Sequence, residues 1–232
     1  MNFMQKDGYV SNSYSVQIEN LVRILIRMKL YASKILNLAS VCIQNYDENL
    51  DIKIREADDK IKKASIELED SVNKIIALSH PVAFDLRFLL SSIKLSSELI
   101  YISSWTKKTI SATQRMGSVN FPIEAKKDII SMIQISFITL KDVVSTLLSF
   151  DSKKKVDNEI LFKLDILLEK DDIVDEIYKK ILQDGLQSIR QNNANAIIIF
   201  EIIGIAKNLE KVSDCINNMI VTTRYVLTGK RT

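Results

Sequence analysis

Apolar residues recur along the chain at alternating steps of three and four. Ile18, Leu21, Leu25, Met28, Ala32, Ile35, Ala39 and Cys42 form the first such stripe. That rhythm places one apolar seam on a long helix inside a bundle. A turn is expected near Asn45 to Asn49. Ile54, Ala57, Ile61, Ala64, Leu68, Ile75 and Leu78 then draw the seam of a second helix. Ser79-His80-Pro81 breaks the chain, and a third helix is predicted from Val82 to Gln114, with Asp85 in its first turns, where the helix dipole favours an acid.

Gly, Ser and Asn at 117–120, followed by Pro122, mark the main boundary. Beyond it the plan repeats. Ile130, Ile133, Phe137, Leu140, Val144 and Leu147 stripe a fourth helix over Ile123 to Phe150, with Ser and Thr expected on its opposite side. After a polar joint at 151–155, a fifth helix over Val156 to Arg190 carries Ile160, Leu164, Leu167, Val174, Ile177 and Ile181. After a joint at 191–195, a sixth over Ile197 to Thr228 carries Ile202, Ile205, Leu209, Val212, Ile216 and Met219. The expected architecture is all-α: six long helices as two pseudo-symmetric three-helix bundles, residues 13–116 and 120–229.

Composition supports helices. The chain of 232 residues has only 5 Gly and 2 Pro, which disfavours glycine-rich phosphate loops and sharp β turns. A formal net charge of +3, with no basic run interleaved with aromatics, gives no reason to expect a nucleic-acid partner. The 2 cysteines, Cys42 and Cys215, have neither metal-ligand spacing nor a disulfide framework, as suits a reducing compartment. Residues 1–13 are polar and lack an apolar signal core, so a cytoplasmic protein with a loose leader is expected. The fourth helix is apolar enough to resemble a membrane span, but its striping predicts a bundle helix and a chain not embedded in a membrane.

Candidate chemistry lies in acids. Glu210 and Asp214 are four apart, as are Asp171 and Asp175, so each pair stacks on one helix face. If the pairs face each other, they offer an oxygen-rich site for Mg, Mn, Fe or Zn, and Asn218, four beyond Asp214, adds an amide oxygen. Acid pairs at this spacing also arise on solvated faces, Asp47 and Asp51 being one. A carboxylate-bridged di-metal enzyme would need Glu-x-x-His on its helices. The single histidine, His80, has no acid at that spacing and reads as a cap or surface residue, so no catalytic residue is assigned.

Three segments carry a family resemblance. Ile205-Ala206-Lys207-Asn208-Leu209-Glu210-Lys211-Val212-Ser213-Asp214-Cys215-Ile216-Asn217-Asn218 resembles the closing signature of PhoU-type phosphate-uptake regulators. Pro81-Val82-Ala83-Phe84-Asp85-Leu86-Arg87 resembles their Pro-[VL]-Ala-x-Asp-Leu-Arg segment, and Asp171 with Val174 and Asp175 resembles their Asp-x-x-[IV]-Asp motif. The resemblance implies two three-helix bundles and metal ions or clusters bound by acidic motifs in both repeats. It also implies a cytoplasmic, non-catalytic negative regulator of phosphate uptake and signalling. Such a regulator bridges the phosphate transporter ATPase and a phosphate sensor kinase, here expected as a homodimer.

The sequence departs from that pattern in its first repeat. Ile100 and Ser104 stand where the family has Glu and Asp, Trp105 where it has His, and Lys62 where a second acid should follow Asp58. One metal site, in the second repeat, or none is therefore expected. Two alternatives remain: a helical scaffold that kept the fold and lost metal regulation, and a metallo-enzyme. Asp85 and Arg87 read either as a helix cap with an ion pair or as a partner contact.

Overall fold

The computed structural model describes residues 10–45, 49–116, 121–149, 157–191 and 195–230. The expected boundary at 117–120, the joint at 151–155 and the acid at position 47 lie outside them. Six helices follow one another: α1 (Val10–Gln44), α2 (Asn49–Ser79), α3 (Ala83–Met116), α4 (Ile123–Ser149), α5 (Asn158–Arg190) and α6 (Ala196–Thr228). No strand occurs among the described residues. The helix α1 is already running at Val10, within the stretch expected as a loose leader.

Within each half every helix packs on the other two: α1, α2 and α3 together, and α4, α5 and α6 together. The halves meet through α1 on α4 and, most extensively, α3 on α6. Exchanging α1, α2, α3 for α4, α5, α6 leaves this contact pattern unchanged, which is the pseudo-two-fold. One continuous apolar core runs through both halves.

The seams behave as their spacing requires. All eight residues of the first stripe are buried. Leu78 departs from the second: it is 66% exposed, because it lies in the last turn of α2, beyond the neighbours that cover Ile75. Ser136, Thr139 and Thr146 of α4 are buried, contrary to the expected outward Ser/Thr side. Thr139 and Thr146 return their hydroxyls to the carbonyls of Ile135 and Asp142, four residues back, while the Ser136 hydroxyl is left without a partner among the described residues. The helix α3 buries Ser91, Ser92, Ser96, Ser103, Thr106, Thr109 and Thr113. These small side chains let its neighbours approach closely.

Helix ends are capped locally. Asp157 and Asn195 accept from the backbone N–H of Glu159 and Ile197 at the starts of α5 and α6. Lys126 reaches from α4 to the carbonyl of Gln44, where α1 ends, at 3.0 Å. His80 (φ 46) and Ala83 (φ 49) take left-handed backbone on either side of Pro81-Val82, so the break between α2 and α3 is strained. His80 is exposed there.

One described helix, α4, is long and apolar enough to cross a membrane by length and composition. Its Ile129, Met132, Ile133, Leu140, Val143 and Leu147 are buried against the other helices.

Candidate functional site

The seam of α5 and α6 gathers the second-half acids. Asp171 and Asp175 flank buried Val174 on α5, while Glu210 and Asp214 flank buried Val212 on α6. Both valines belong to the apolar core, and α5 packs on α6 with the acids beside them. Asn217 donates its amide to Asp171 Oδ2 at 2.8 Å. Burial raises the pKa of Asp171, the charge of Asp214 adds to it, and the Ser213 hydroxyl and Asn217 offset part of the rise. Burial also raises Asp175, helped by Asp171, Glu210 and Asp214. All four sequence-predicted carboxylates therefore share one electrostatic environment.

Two lysines partly neutralise it. Lys211 lies 2.6 Å from Asp214 Oδ2 and 3.3 Å from Glu210 Oε2. Lys207 lies 2.9 Å from Glu210 Oε1 and stacks 4.9 Å from the Tyr178 ring. Asp171 Oδ1 and Glu210 Oε2 are buried without a hydrogen bond, the Lys211 contact to the latter being an ion pair only. Among the described residues no three His, Cys, Asp or Glu side chains converge closely enough to hold one ion. The donor set is all carboxylate oxygen, with Asp171 Oδ1 unpaired and Glu210 Oε2 held only by an ion pair, and it fits a hard or borderline cation. Binding one requires the acids to close up and the lysines to withdraw.

Asn218 is not part of this group. It is exposed, and its amide meets Glu98 on α3, so the residue at i+3 from Asp214, not i+4, turns toward α5. Nothing in the acid spacing singled out Asn217; its adjacency to the stacked pair was the only available signal. Glu98 is almost fully buried; burial raises its pKa and Cys215 and Asn218 hold it back. Cys215 is pushed up to about 12 by burial and by Glu98, which makes it an inert core thiol.

The mirror position on α2 and α3 has different chemistry. Asp58, 3% exposed, stands where Asp171 stands in the other half. Ser103 donates to Asp58 Oδ1 at 2.8 Å, whereas its counterpart Ser213 stands near Asp171 with Oδ1 left unbonded among the described residues. Lys107 occupies the place of Asn217 and forms a short ion pair with Asp58 Oδ2; Lys62 joins at 2.8 Å. Burial pushes Asp58 up, but Lys107, Lys62 and Ser103 together outweigh it and hold the carboxyl below its usual range. A metal has no place here: one acid remains and two ammonium groups already saturate it.

Asp85 and Arg87 sit at the start of α3. Burial raises the pKa of Asp85, and the neighbouring Tyr14 hydroxyl offsets part of the rise. Arg87 stacks 5.9 Å from the Phe84 ring and lies against Gly229 at the end of α6. Asp85 stands in the first turn of α3 and Arg87 packs across to the end of α6, but the expected ion pair does not form among the described residues.

The chain is similar to known proteins in sequence and in fold. The PhoU domain family matches residues 25–107. The phosphate-specific transport system accessory protein PhoU homolog 1 of Thermotoga maritima is 30% identical over 212 residues, covering 88% of this chain and 84% of that one. The PhoU homolog of Clostridium acetobutylicum is 25% identical over 219 residues, covering 94% and 95%. The crystal structure of the phosphate transport system regulatory protein PhoU from Streptococcus pneumoniae superposes with TM-score 0.81 at 17% identity, over 94% of this chain and 99% of that one. PhoU from Pseudomonas aeruginosa gives TM-score 0.74 at 19% identity, over 94% and 100%.

Proposed function

The chain belongs to the PhoU family, and from that premise we propose that it is a non-catalytic accessory regulator of a phosphate-specific transport system. The observation that carries this is similarity to a transport accessory protein across 88% of the chain. In this reading the protein works in the cytoplasm as a negative regulator of phosphate uptake. It acts as a homodimeric adaptor between the transporter ATPase and the phosphate sensor kinase.

The proposal includes one divalent or trivalent metal ion per chain, held by Asp171, Asp175, Glu210 and Asp214. A bound cation would supply the positive charge that the raised pKa values of Asp171 and Asp175 call for. This chain's own part is to present four carboxylates from two helices and to free Lys207 and Lys211 when the ion arrives. Metal occupancy would thereby couple to how α5 and α6 are joined.

A second reading, a scaffold that has lost metal regulation, draws support from the two lysines already paired with Glu210 and Asp214. Metal content after chelator-free purification separates the two. One equivalent, lost in Asp214→Ala, supports the regulated form, and none supports the scaffold. For the function itself, deleting the gene is expected to raise phosphate uptake and phosphate-responsive expression. No change in either would remove the transport-regulator reading.

A further inference from the structure

Where the second half offers acids, the first half offers a groove of opposite sign. An open groove of about 520 Å³ is lined by Ser104, Lys107, Lys108, Ser111 and Arg115 of α3 and Asn208 of α6. We propose that this groove binds a free linear oligophosphate, a site separate from the α5/α6 acids and additional to the transport role.

Ser104, Lys108, Ser111 and Arg115 follow one another at steps of four, three and four, so they share one face of α3. At 1.5 Å rise per residue that row extends about 16 Å. Three cations line the groove and no carboxylate does. Lys108 has no carboxylate partner among the described residues; its ammonium rests 3.6 Å from the Trp105 ring centroid. A cation–π contact at an exposed site is weak. A charge-assisted hydrogen bond is stronger, so an anion draws Lys108 off the indole. Arg115 grips Glu201 through Nε and Nη2, both at 2.7 Å, which leaves Nη1 as a donor. Lys107 shares Asp58 with Lys62, so two ammonium groups face one buried carboxylate.

The internal mirror sharpens the point. The pairing of Asp58 with Lys107, matched by Asp171 with Asn217, fixes the correspondence of α3 and α6. In that register Ser104 answers Asp214, and Lys107 and Lys108 answer Asn217 and Asn218. The half that lost its acids gained cations on the same face. The length of the row favours a chain of phosphoryl groups over orthophosphate, which spans about one turn. Only Ser, Lys, Arg and Asn line the groove itself, and Trp105 stands behind Lys108. Ammonium, guanidinium and hydroxyl donors together suit phosphoryl oxygens.

The chain has 1 Trp, so its fluorescence reports on Lys108 directly. Sodium tripolyphosphate is titrated into the full chain at about 0.15 M salt, where exposed charges are screened, and followed by fluorescence and calorimetry. Expected are saturable binding of one ligand per chain, a change in Trp105 emission, and at least tenfold weaker binding of orthophosphate. Calorimetric affinity should fall at least tenfold in Lys108→Gln and in Ser111→Asp, both exposed positions whose melting temperatures should hold. Lys179→Gln, an exposed charge on α5, should bind as the wild type does. Absence of saturation at millimolar ligand would overturn the proposal, as would unchanged affinity in both groove variants. So would a response to phosphatidylglycerol vesicles with none to tripolyphosphate.

Discussion

Asp171 shows how much one carboxylate can decide. Its folded pKa lies above the ordinary Asp value, first through burial and then through Asp214. The folded state therefore holds a proton more tightly than the unfolded chain. The stability cost is full above the folded pKa and disappears as pH falls below the unfolded value near 3.9. Asp171→Asn removes that charge and keeps the shape, and the Asn217 amide can turn its oxygen to the new donor. In chelator-treated protein, the variant should be more stable than wild type by about 0.5–1 kcal/mol at neutral pH, a figure kept small because the site is half in water. The gain should shrink toward zero by about pH 4. Urea midpoints at both pH values measure it; an equal gain at both would show the burden is not ionic. The acid pairs were legible in sequence because i,i+4 spacing fixes a shared face. Asn217 was not, because spacing leaves open which flank of α6 meets α5. Nor was the Lys107–Asp58 pair, which joins residues brought together only when α2 and α3 pack.

At the scale of helices, seams were legible and interiors less so. Three-four spacing located all six elements, yet Ser92, Thr106 and Thr113 of α3 are buried and satisfied by carbonyls one turn back. A hydroxyl that can bond its own helix carries no sign in sequence of whether it faces water or core. Helix ends are set by backbone conformation, and two glycines of α6 test this in opposite directions. Gly229 closes the helix in left-handed conformation at φ 73, and an added Cβ would lie 3.3 Å from Arg87 Cζ. Gly229→Ala should cost about 1–2 kcal/mol, the left-handed penalty plus displacement of the Arg87 stack. Gly204 lies inside the helix with nothing within 4 Å of an added Cβ. Gly204→Ala should gain about 0.5–1 kcal/mol by restricting the unfolded chain. Denaturation of the two variants side by side measures the difference. Gly229→Ala no less stable than Gly204→Ala would show that the end of α6 does not depend on that turn.

At the scale of the molecule, one fold repeated twice now carries two charge patterns. The packing symmetry is intact: equivalent helices make equivalent contacts, and Lys107 on Asp58 is answered by Asn217 on Asp171. Around Asp58 and Asp171 four positions change the ligand chemistry. Lys62, Ile100, Ser104 and Lys107 stand where the second half has Asp175, Glu210, Asp214 and Asn217. If those four alone suppress a metal site, restoring them should create one. The variant Lys62→Asp, Ile100→Glu, Ser104→Asp, Lys107→Asn removes both ammonium groups from Asp58 and surrounds it with acids. Without metal it should be less stable than wild type, since a buried carboxylate loses its partners at a cost of about 3–5 kcal/mol. With Mn or Fe present it should recover, because an ion that binds only the folded state stabilises by mass action. Metal content should rise by one equivalent per chain over the wild type, measured on folded protein by elemental analysis. A folded variant with unchanged metal content would mean that more than these side chains distinguishes the halves. The backbone of α2 and α3 would then no longer be a metal scaffold, and the basic groove would be what that half has become.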